Sequence, residues 1–169
     1  MDRVGRVIEQ WEAERPDLDV SGLEVIGRLS KLALLVQVRL DAVFAEFGLQ
    51  GWEFDVLATL RRSGEPYELT PGELDRALII SSGTTTHRIK RLEQRGFVTR
   101  RPDSQDGRVV RVRLTSAGIA VQAAAHEAHA ANELGILETL DEADRTALRR
   151  GLVAFAAALG DVAPNSPNS

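Results

Sequence analysis

Residues 69–115 contain the pattern that determines the fold, and they read LTPGELDRALIISSGTTTHRIKRLEQRGFVTRRPDSQDGRVVRVRLT. At residues 70–73, a capping threonine precedes a proline at the first helical position, and a glutamate follows three residues after the threonine. This pattern predicts a helix start. The helix is expected to be short and to end near Ile79. A turn at residues 81–83 then leads into a second helix that stops at Gly96.

Two short strands are predicted after the second helix. Residues 97–101 and 108–114 are rich in strand-forming side chains, and the polar residues 102–107 between them predict a hairpin tip. Two helices joined by a tight turn and followed by a β-hairpin form a winged helix-turn-helix. The predicted fold class is therefore mainly α with a small β-hairpin wing.

The charge of the chain is distributed unevenly. The 169 residues carry a net charge of −4, which by itself argues against nucleic acid as a partner. Residues 81–113, however, contain nine basic and three acidic residues, so this segment has a charge of +6 and the remainder −10. A basic patch on an acidic body can hold a phosphate backbone while the rest of the surface repels it.

The second helix of the motif is predicted to contact double-stranded DNA. It opens with three threonines, which are poor helix starters but whose hydroxyls suit phosphates and base edges in a major groove. Arg108 at the hairpin tip is expected to enter the minor groove, with Asp106 fixing its rotamer. The predicted DNA contacts are Ser82, Thr84, Thr85, Thr86, His87, Lys90, Arg91, Arg101 and Arg108. The alternatives are a solvated helix face and, for Arg108, a surface ion pair.

Helices are predicted on both sides of this region. They cover residues 2–15, 21–47 with a capping box at Ser21 and Glu24, 51–62, 116–138 and 142–159. The long flanking helices carry more apolar surface than a small lobe covers, which predicts a homodimer rather than a self-packed monomer. We assign residues 1–48 to N-terminal helices for dimerisation and ligand binding, and 49–114 to the winged helix-turn-helix DNA-binding domain. Residues 115–160 are assigned to C-terminal dimerisation helices and 161–169 to a disordered tail.

Several classes of protein are not favoured by the sequence. Cysteine is absent, which excludes disulfides and thiolate metal sites. Because neither a membrane-spanning run nor a signal-peptide pattern is present, we expect a cytoplasmic protein that does not bind membranes. His126 and His129 are three residues apart, whereas a helical zinc motif needs four, so a polar helix face is expected there. No nucleophile with a paired base is evident, and we predict neither an enzyme nor a cofactor.

The central motifs resemble the multiple-antibiotic-resistance-regulator (MarR) family. The residues that carry the resemblance are 69–74, 81–84, 91–98, 101–103, 106–108 and 114–115. The resemblance implies a triangular homodimer whose N- and C-terminal helices interlock and whose two winged lobes reach DNA. It also implies a small-ligand site between the dimer body and the DNA lobe.

Four residues resemble the ligand site of the urate-responsive subgroup of this family: Trp11, Asp55, Arg88 and Arg100. An anionic planar ligand is suited to guanidinium groups and an aromatic face. The alternatives are a dimer-core role for Trp11, a structural ion pair between Asp55 and Arg88, and a phosphate contact for Arg100. Lys90 departs from the subgroup, which usually has an acidic residue at that position.

These expectations combine into a ligand-responsive transcriptional repressor. We predict a dimer on a pseudo-palindromic operator, released by a small anionic effector such as urate. One alternative is the same repressor responding to a small carboxylate such as citrate or aconitate. Another is a winged-helix module that binds protein, which the charge of +6 in residues 81–113 argues against.

Overall fold

The computed structural model describes residues 1–78, 85–103 and 106–161. The chain divides into two compact units, Met1–His129 and Ala130–Ser169. The first unit contains a winged helix-turn-helix, which confirms the predicted fold class. The second contains the last helix of the described residues, Glu142–Ala158.

The N-terminal part is helical. Helix α1 covers Arg3–Glu14, a 3-10 turn covers Ser21–Glu24, and α2 covers Ile26–Glu46. The capping box predicted at Ser21 is wrong, because the Glu24 carboxylate pairs with Arg28 and no side chain caps α2. The long helix therefore begins at Ile26.

Helices α3 (Gly51–Arg62) and α4 (Pro71–Ala77) both begin with a capping box. At α4, the Thr70 backbone N–H donates to the Glu73 carboxylate at 2.8 Å, and the Glu73 N–H donates to the Thr70 hydroxyl at 3.2 Å. These two bonds satisfy donors that the first turn of a helix leaves without a backbone partner. The helix start predicted from this pattern is confirmed.

Helix α5 covers Thr85–Gln94. Gly96 follows with a φ of +74°, a conformation that glycine adopts without strain, and it ends the helix as predicted. Helix α4 ends at Ala77, close to the predicted end near Ile79. Ile79 itself and the predicted turn at 81–83 lie outside the described residues.

Three strands form an antiparallel sheet in the order β1-β3-β2. They are β1 (Glu68–Leu69), β2 (Val98–Pro102) and β3 (Val110–Leu114). Strands β2 and β3 form the predicted hairpin, with Val98 opposite Leu114. Strand β1 was not predicted, because two residues are too few to show an alternating pattern.

The C-terminal part contains α6 (Ser116–Leu137) and α7 (Glu142–Ala158). Thr115 caps α6 by accepting the Gly118 N–H at 3.0 Å. In α7, which lies in the second unit, no described side chain is buried. Asp161 is the only described residue of the predicted disordered tail; residues 162–169 lie outside the described part of the chain.

The core of the first unit lies between α3, α4, α5 and the sheet. Leu57, Leu60, Leu74, Leu92 and Val112 are each 0% exposed. This core fixes one side of α5 and leaves the other side outward. Across the described residues, the helices lack the combination of length and apolar character that crossing a membrane requires.

Candidate nucleic-acid interface

One side of α5 is polar and exposed. Thr86, His87, Lys90 and Arg91 are exposed, and Ile89 and Leu92 on the other side are buried at 2% and 0%. At about 3.6 residues per turn, this spacing separates a polar from an apolar face. The exposed side of α5 therefore presents hydroxyl, imidazole and cationic groups outside the lobe.

The first residue of α5 is engaged within the protein. The Thr85 hydroxyl donates to the Asp75 carboxylate of α4 at 2.5 Å, which holds the start of α5 against α4. Ser82 and Thr84, two further predicted DNA contacts, lie outside the described residues.

The tip of the hairpin presents Arg108. Its side chain is exposed, and its backbone N–H donates to the Asp106 carboxylate at 3.0 Å. The expected pairing of Asp106 with the Arg108 guanidinium is therefore replaced by a bond that shapes the turn. Over residues 1–78, 85–103 and 106–161, Arg108 forms no side-chain ion pair.

Ion pairs fix the base of the hairpin to the rest of the lobe. Arg101 of β2 donates to Glu68 of β1. Arg111 of β3 lies 2.6 Å from Asp103 and 3.6 Å from Glu73 at the start of α4. The Asp103 carboxylate raises the pKa of Arg111 above its usual value. Two of these pairs connect the hairpin to β1 and α4, and the Arg111–Asp103 pair closes the hairpin on itself.

Arg100, a predicted ligand contact, bridges the hairpin and α5. Its guanidinium contacts the Glu93 carboxylate at 2.8 Å through Nε and 2.6 Å through Nη2. Hydrogen bonding by Arg100 lowers the pKa of Glu93 below its usual value. The bridge links the end of α5 to the first half of the wing.

Arg88, the second arginine of the predicted ligand site, lies in the interior of the lobe. It is 7% exposed, and its Cζ lies 5.7 Å from the centre of the Trp52 ring. Trp11 lies on α1 and is 46% exposed, and Asp55 is half-buried on α3. The indole beside Arg88 is thus that of Trp52, which the sequence did not single out.

Arg95, the first residue after α5, clamps the end of this helix to the first turn of α3 and to the residues just before it. Arg95 contacts the Glu53 carboxylate at 2.6 Å and the Gly48 carbonyl at 2.8 Å, and its Cζ lies 4.7 Å from the centre of the Phe97 ring. Glu53 is 1% exposed, so this is a nearly buried carboxylate with a cationic partner.

Comparisons with known proteins agree with this geometry. The profile of the MarR family matches residues 47–109. The HTH-type transcriptional regulator PecS of Dickeya dadantii (strain 3937) is 44% identical over 146 residues, which are 86% of this chain and 88% of PecS. The chain belongs to the MarR family.

Solved structures of MarR-family proteins share the fold. A MarR-like transcription regulator of Bacillus cereus superposes with a TM-score of 0.76 at 18% identity, covering 83% of this chain and 99% of that chain. A mutant of Escherichia coli MarR, complexed with operator DNA, superposes with a TM-score of 0.67 at 25% identity, covering 82% and 99%. This MarR-family chain is a DNA-binding transcriptional regulator of the winged-helix type, and its identity to PecS supports the PecS-like subgroup.

The sequence did not indicate how the arginines of this MarR-family lobe are arranged. Arg88 and Arg91 of α5 and Arg95 just after it are three and four residues apart, a spacing that places them along one side of the helix. All three face the first turn of α3, where Trp52 and Glu53 lie. The i, i+3, i+7 spacing was a readable signal, but it does not say which element the three side chains contact.

The histidines of α6 are not on a purely polar face. The ring centre of His129 lies 5.0 Å from that of Phe44 and 5.1 Å from that of Phe54. Nδ1 of His126 lies 3.2 Å from Nε2 of Gln122. Within the described ranges, no cluster of three or more His, Cys, Asp or Glu side chains is arranged to hold a metal ion.

Proposed function

We propose that this MarR-family protein is a homodimeric repressor that binds operator DNA through the exposed side of α5 and the wing. The observation that carries the proposal is the outward placement of Lys90, Arg91 and Arg108. Cationic side chains on a helix and a hairpin tip suit phosphates and the narrow minor groove. Thr86 and His87 lie on the same helix side and are proposed to face base edges.

The proposed dimer is supported by apolar surface that the single chain leaves exposed. Leu148 and Leu152 of α7 and Leu159, which caps its end, are 43%, 45% and 71% exposed, and Phe155 lies between them in sequence at helical spacing. A helix whose apolar stripe is uncovered usually contributes to an interface. Twofold symmetry then requires a pseudo-palindromic operator with half-sites about 10 bp apart.

The proposed effector is a small anion held at Arg88. A nearly buried guanidinium binds anions strongly, because little water competes with the ligand. Since Arg88 belongs to α5, a ligand that draws it away tilts the helix and weakens the fit to DNA. Trp11, Asp55 and Arg100 are the other proposed contacts of this ligand.

Arg100 provides a second route from ligand to DNA. An anion at Arg100 competes with Glu93 for the same guanidinium, and Glu93 is part of α5. Loss of that bridge frees the hairpin from the helix. We therefore propose that ligand binding loosens both DNA-contacting elements, with urate as the effector.

The ligand proposal is tested by mobility shift on the DNA upstream of the protein's own gene, with urate, xanthine and citrate. Urate is expected to release the wild type and to have a much weaker effect on Arg88→Ala. Equal release of both proteins by urate would contradict the role of Arg88. Release by citrate alone would instead assign the site to small carboxylates.

The DNA proposal is tested by salt dependence. The logarithm of the binding constant is expected to fall linearly with the logarithm of salt concentration, with a slope of about −0.9 per phosphate contact. A slope near zero would contradict a phosphate-dominated interface and favour a winged-helix module that binds protein.

A further inference from the structure

Trp52 lies beside two arginines of α5 at once. The Cζ of Arg88 is 5.7 Å and that of Arg91 is 5.3 Å from the ring centre. Both distances are within the roughly 6 Å at which a guanidinium is attracted to the negative face of an aromatic ring. One indole thus contacts a nearly buried and an exposed guanidinium.

The indole is held in place by the first turn of α3. Its Nε1–H donates to the side chain of Gln50, the residue that caps this helix. Glu53 closes the capping box by accepting the Gln50 backbone N–H at 2.9 Å. Because Glu53 also binds Arg95, the turn of α3 that carries Trp52 is fixed to the residue that follows α5.

The fixed ring restricts the conformation of Arg91 in particular. Arg91 is exposed at the edge of the exposed side of α5, where a long flexible side chain would otherwise sample many rotamers. Contact with the ring restricts these rotamers before DNA arrives, so less conformational entropy is lost on binding. The same contact offsets the repulsion between two like charges three residues apart on one helix.

We propose that Trp52 is a positioning residue for DNA binding, which holds Arg91 in the orientation that contacts a phosphate. This inference rests on the proposed function, in which the exposed side of α5 contacts DNA. It assigns to Trp52 an electrostatic role through its ring face, beyond the burial of apolar surface.

The experiment compares Trp52→Phe, which keeps a ring, with Trp52→Leu, which keeps only an apolar side chain. Binding constants are measured on one operator over a range of salt concentrations. Trp52→Leu is expected to weaken binding about five-fold, the effect of losing one cation–π contact. It is also expected to reduce the salt slope by about 0.9, because one phosphate contact is lost. Trp52→Phe is expected to stay close to wild type.

A double-mutant cycle with Arg91→Ala separates positioning from general destabilisation. Arg91→Ala alone is expected to reduce the salt slope by the same amount, and Trp52→Leu is expected to add nothing in that background. Additive losses, or a Trp52→Leu slope equal to that of wild type, would overturn the inference.

Two further measurements keep the outcome interpretable. In Trp11→Phe, Trp52 is the only tryptophan, and Arg91→Ala is expected to change its emission in the absence of DNA, because the guanidinium lies at the ring before DNA binds. Emission that is the same with and without the Arg91 side chain would overturn the inference even if Trp52→Leu failed to fold. If Arg91→Ala has no effect on binding, the inference fails, and Lys90→Ala then shows whether the assignment of α5 to DNA fails with it.

Discussion

At the scale of single residues, the buried carboxylate of Glu53 depends on Arg95 for compensation of its charge. The carboxylate is 1% exposed, and the Arg95 guanidinium at 2.6 Å is its cationic partner. The Arg95 side chain is itself 35% exposed, but removing it leaves the buried Glu53 charge uncompensated. Loss of one member of a fully buried pair costs about 3–5 kcal/mol. Arg95→Ala is therefore expected to lower the free energy of unfolding by about 3 kcal/mol, measured by urea denaturation.

A matched control for this prediction is Arg100→Ala. Its pair with Glu93 is well exposed at both ends, with side chains 44% and 32% accessible. Exposed pairs contribute less than about 1 kcal/mol. Equal destabilisation by the two substitutions would show that burial of Glu53 is not the cause.

Gly118 is required by the close approach of α6 to the turn between α5 and β2. A Cβ at this position would lie 2.0 Å from the backbone carbonyl oxygen of Phe97. Since a carbonyl in the backbone cannot move aside cheaply, Gly118→Ala is expected to cost about 3 kcal/mol of stability in a thermal or urea unfolding measurement. Gly72→Ala in α4 is the control: it meets no atom within 4 Å, so no loss of stability is expected.

At the scale of elements, the start of α4 carries a pH-dependent contribution. Hydrogen bonds from the Thr70 backbone N–H and hydroxyl, with the nearby charge of Arg111, lower the pKa of Glu73 below its value in the unfolded chain. A lowered folded-state pKa means that the stabilisation is complete above the unfolded pKa and is lost as pH falls through the folded one. We expect wild type to be more stable than Glu73→Gln at neutral pH and the difference to shrink below about pH 4.

This difference is measured by urea denaturation of both proteins over a range of pH values. A stability difference that stayed constant down to acid pH would mean that the ionisation of Glu73 does not contribute to stability. The substitution keeps a side chain that can still accept the capping bonds.

The wing contributes a single exposed guanidinium at its tip. Arg108→Ala is expected to weaken operator binding about ten-fold and to reduce the salt slope by about 1, because a guanidinium near phosphates is lost. Arg150→Ala on α7 removes the same charge and serves as the control in the same titration. An equal effect of both would show that net charge, rather than the wing, governs affinity.

Element starts and stops were readable from the sequence because their signals are local. The cap at Thr70 and the stop at Gly96 each depend on residues within three or four positions. The Arg95–Glu53 clamp joins residues 42 positions apart, and periodicity predicts which side of a helix a residue occupies but not its partner. For the same reason, the sequence placed Arg88 in a candidate site without identifying Trp52 beside it.

At the scale of the whole molecule, α7 provides the test of assembly. Leu148, Leu152 and Leu159 are exposed in the single chain and recur at helical spacing. If they form the dimer interface, Leu152→Glu buries a charge there and is expected to give monomers in sedimentation experiments. Arg150→Glu, on the opposite side of the same helix, is expected to remain a dimer. If neither variant dissociated, the proposed role of α7 in the interface would be contradicted.

The ion pairs around the wing have a consequence for how fast the protein finds DNA. Arg95, Arg100, Arg101 and Arg111 are four of the nine basic residues between positions 81 and 113, and each is neutralised by an adjacent acid. A distant duplex responds to the summed field, so the long-range attraction is weaker than the number of basic residues indicates. Encounter rates are then modest, and the lifetime of the bound complex, set by the few outward cations, carries most of the affinity.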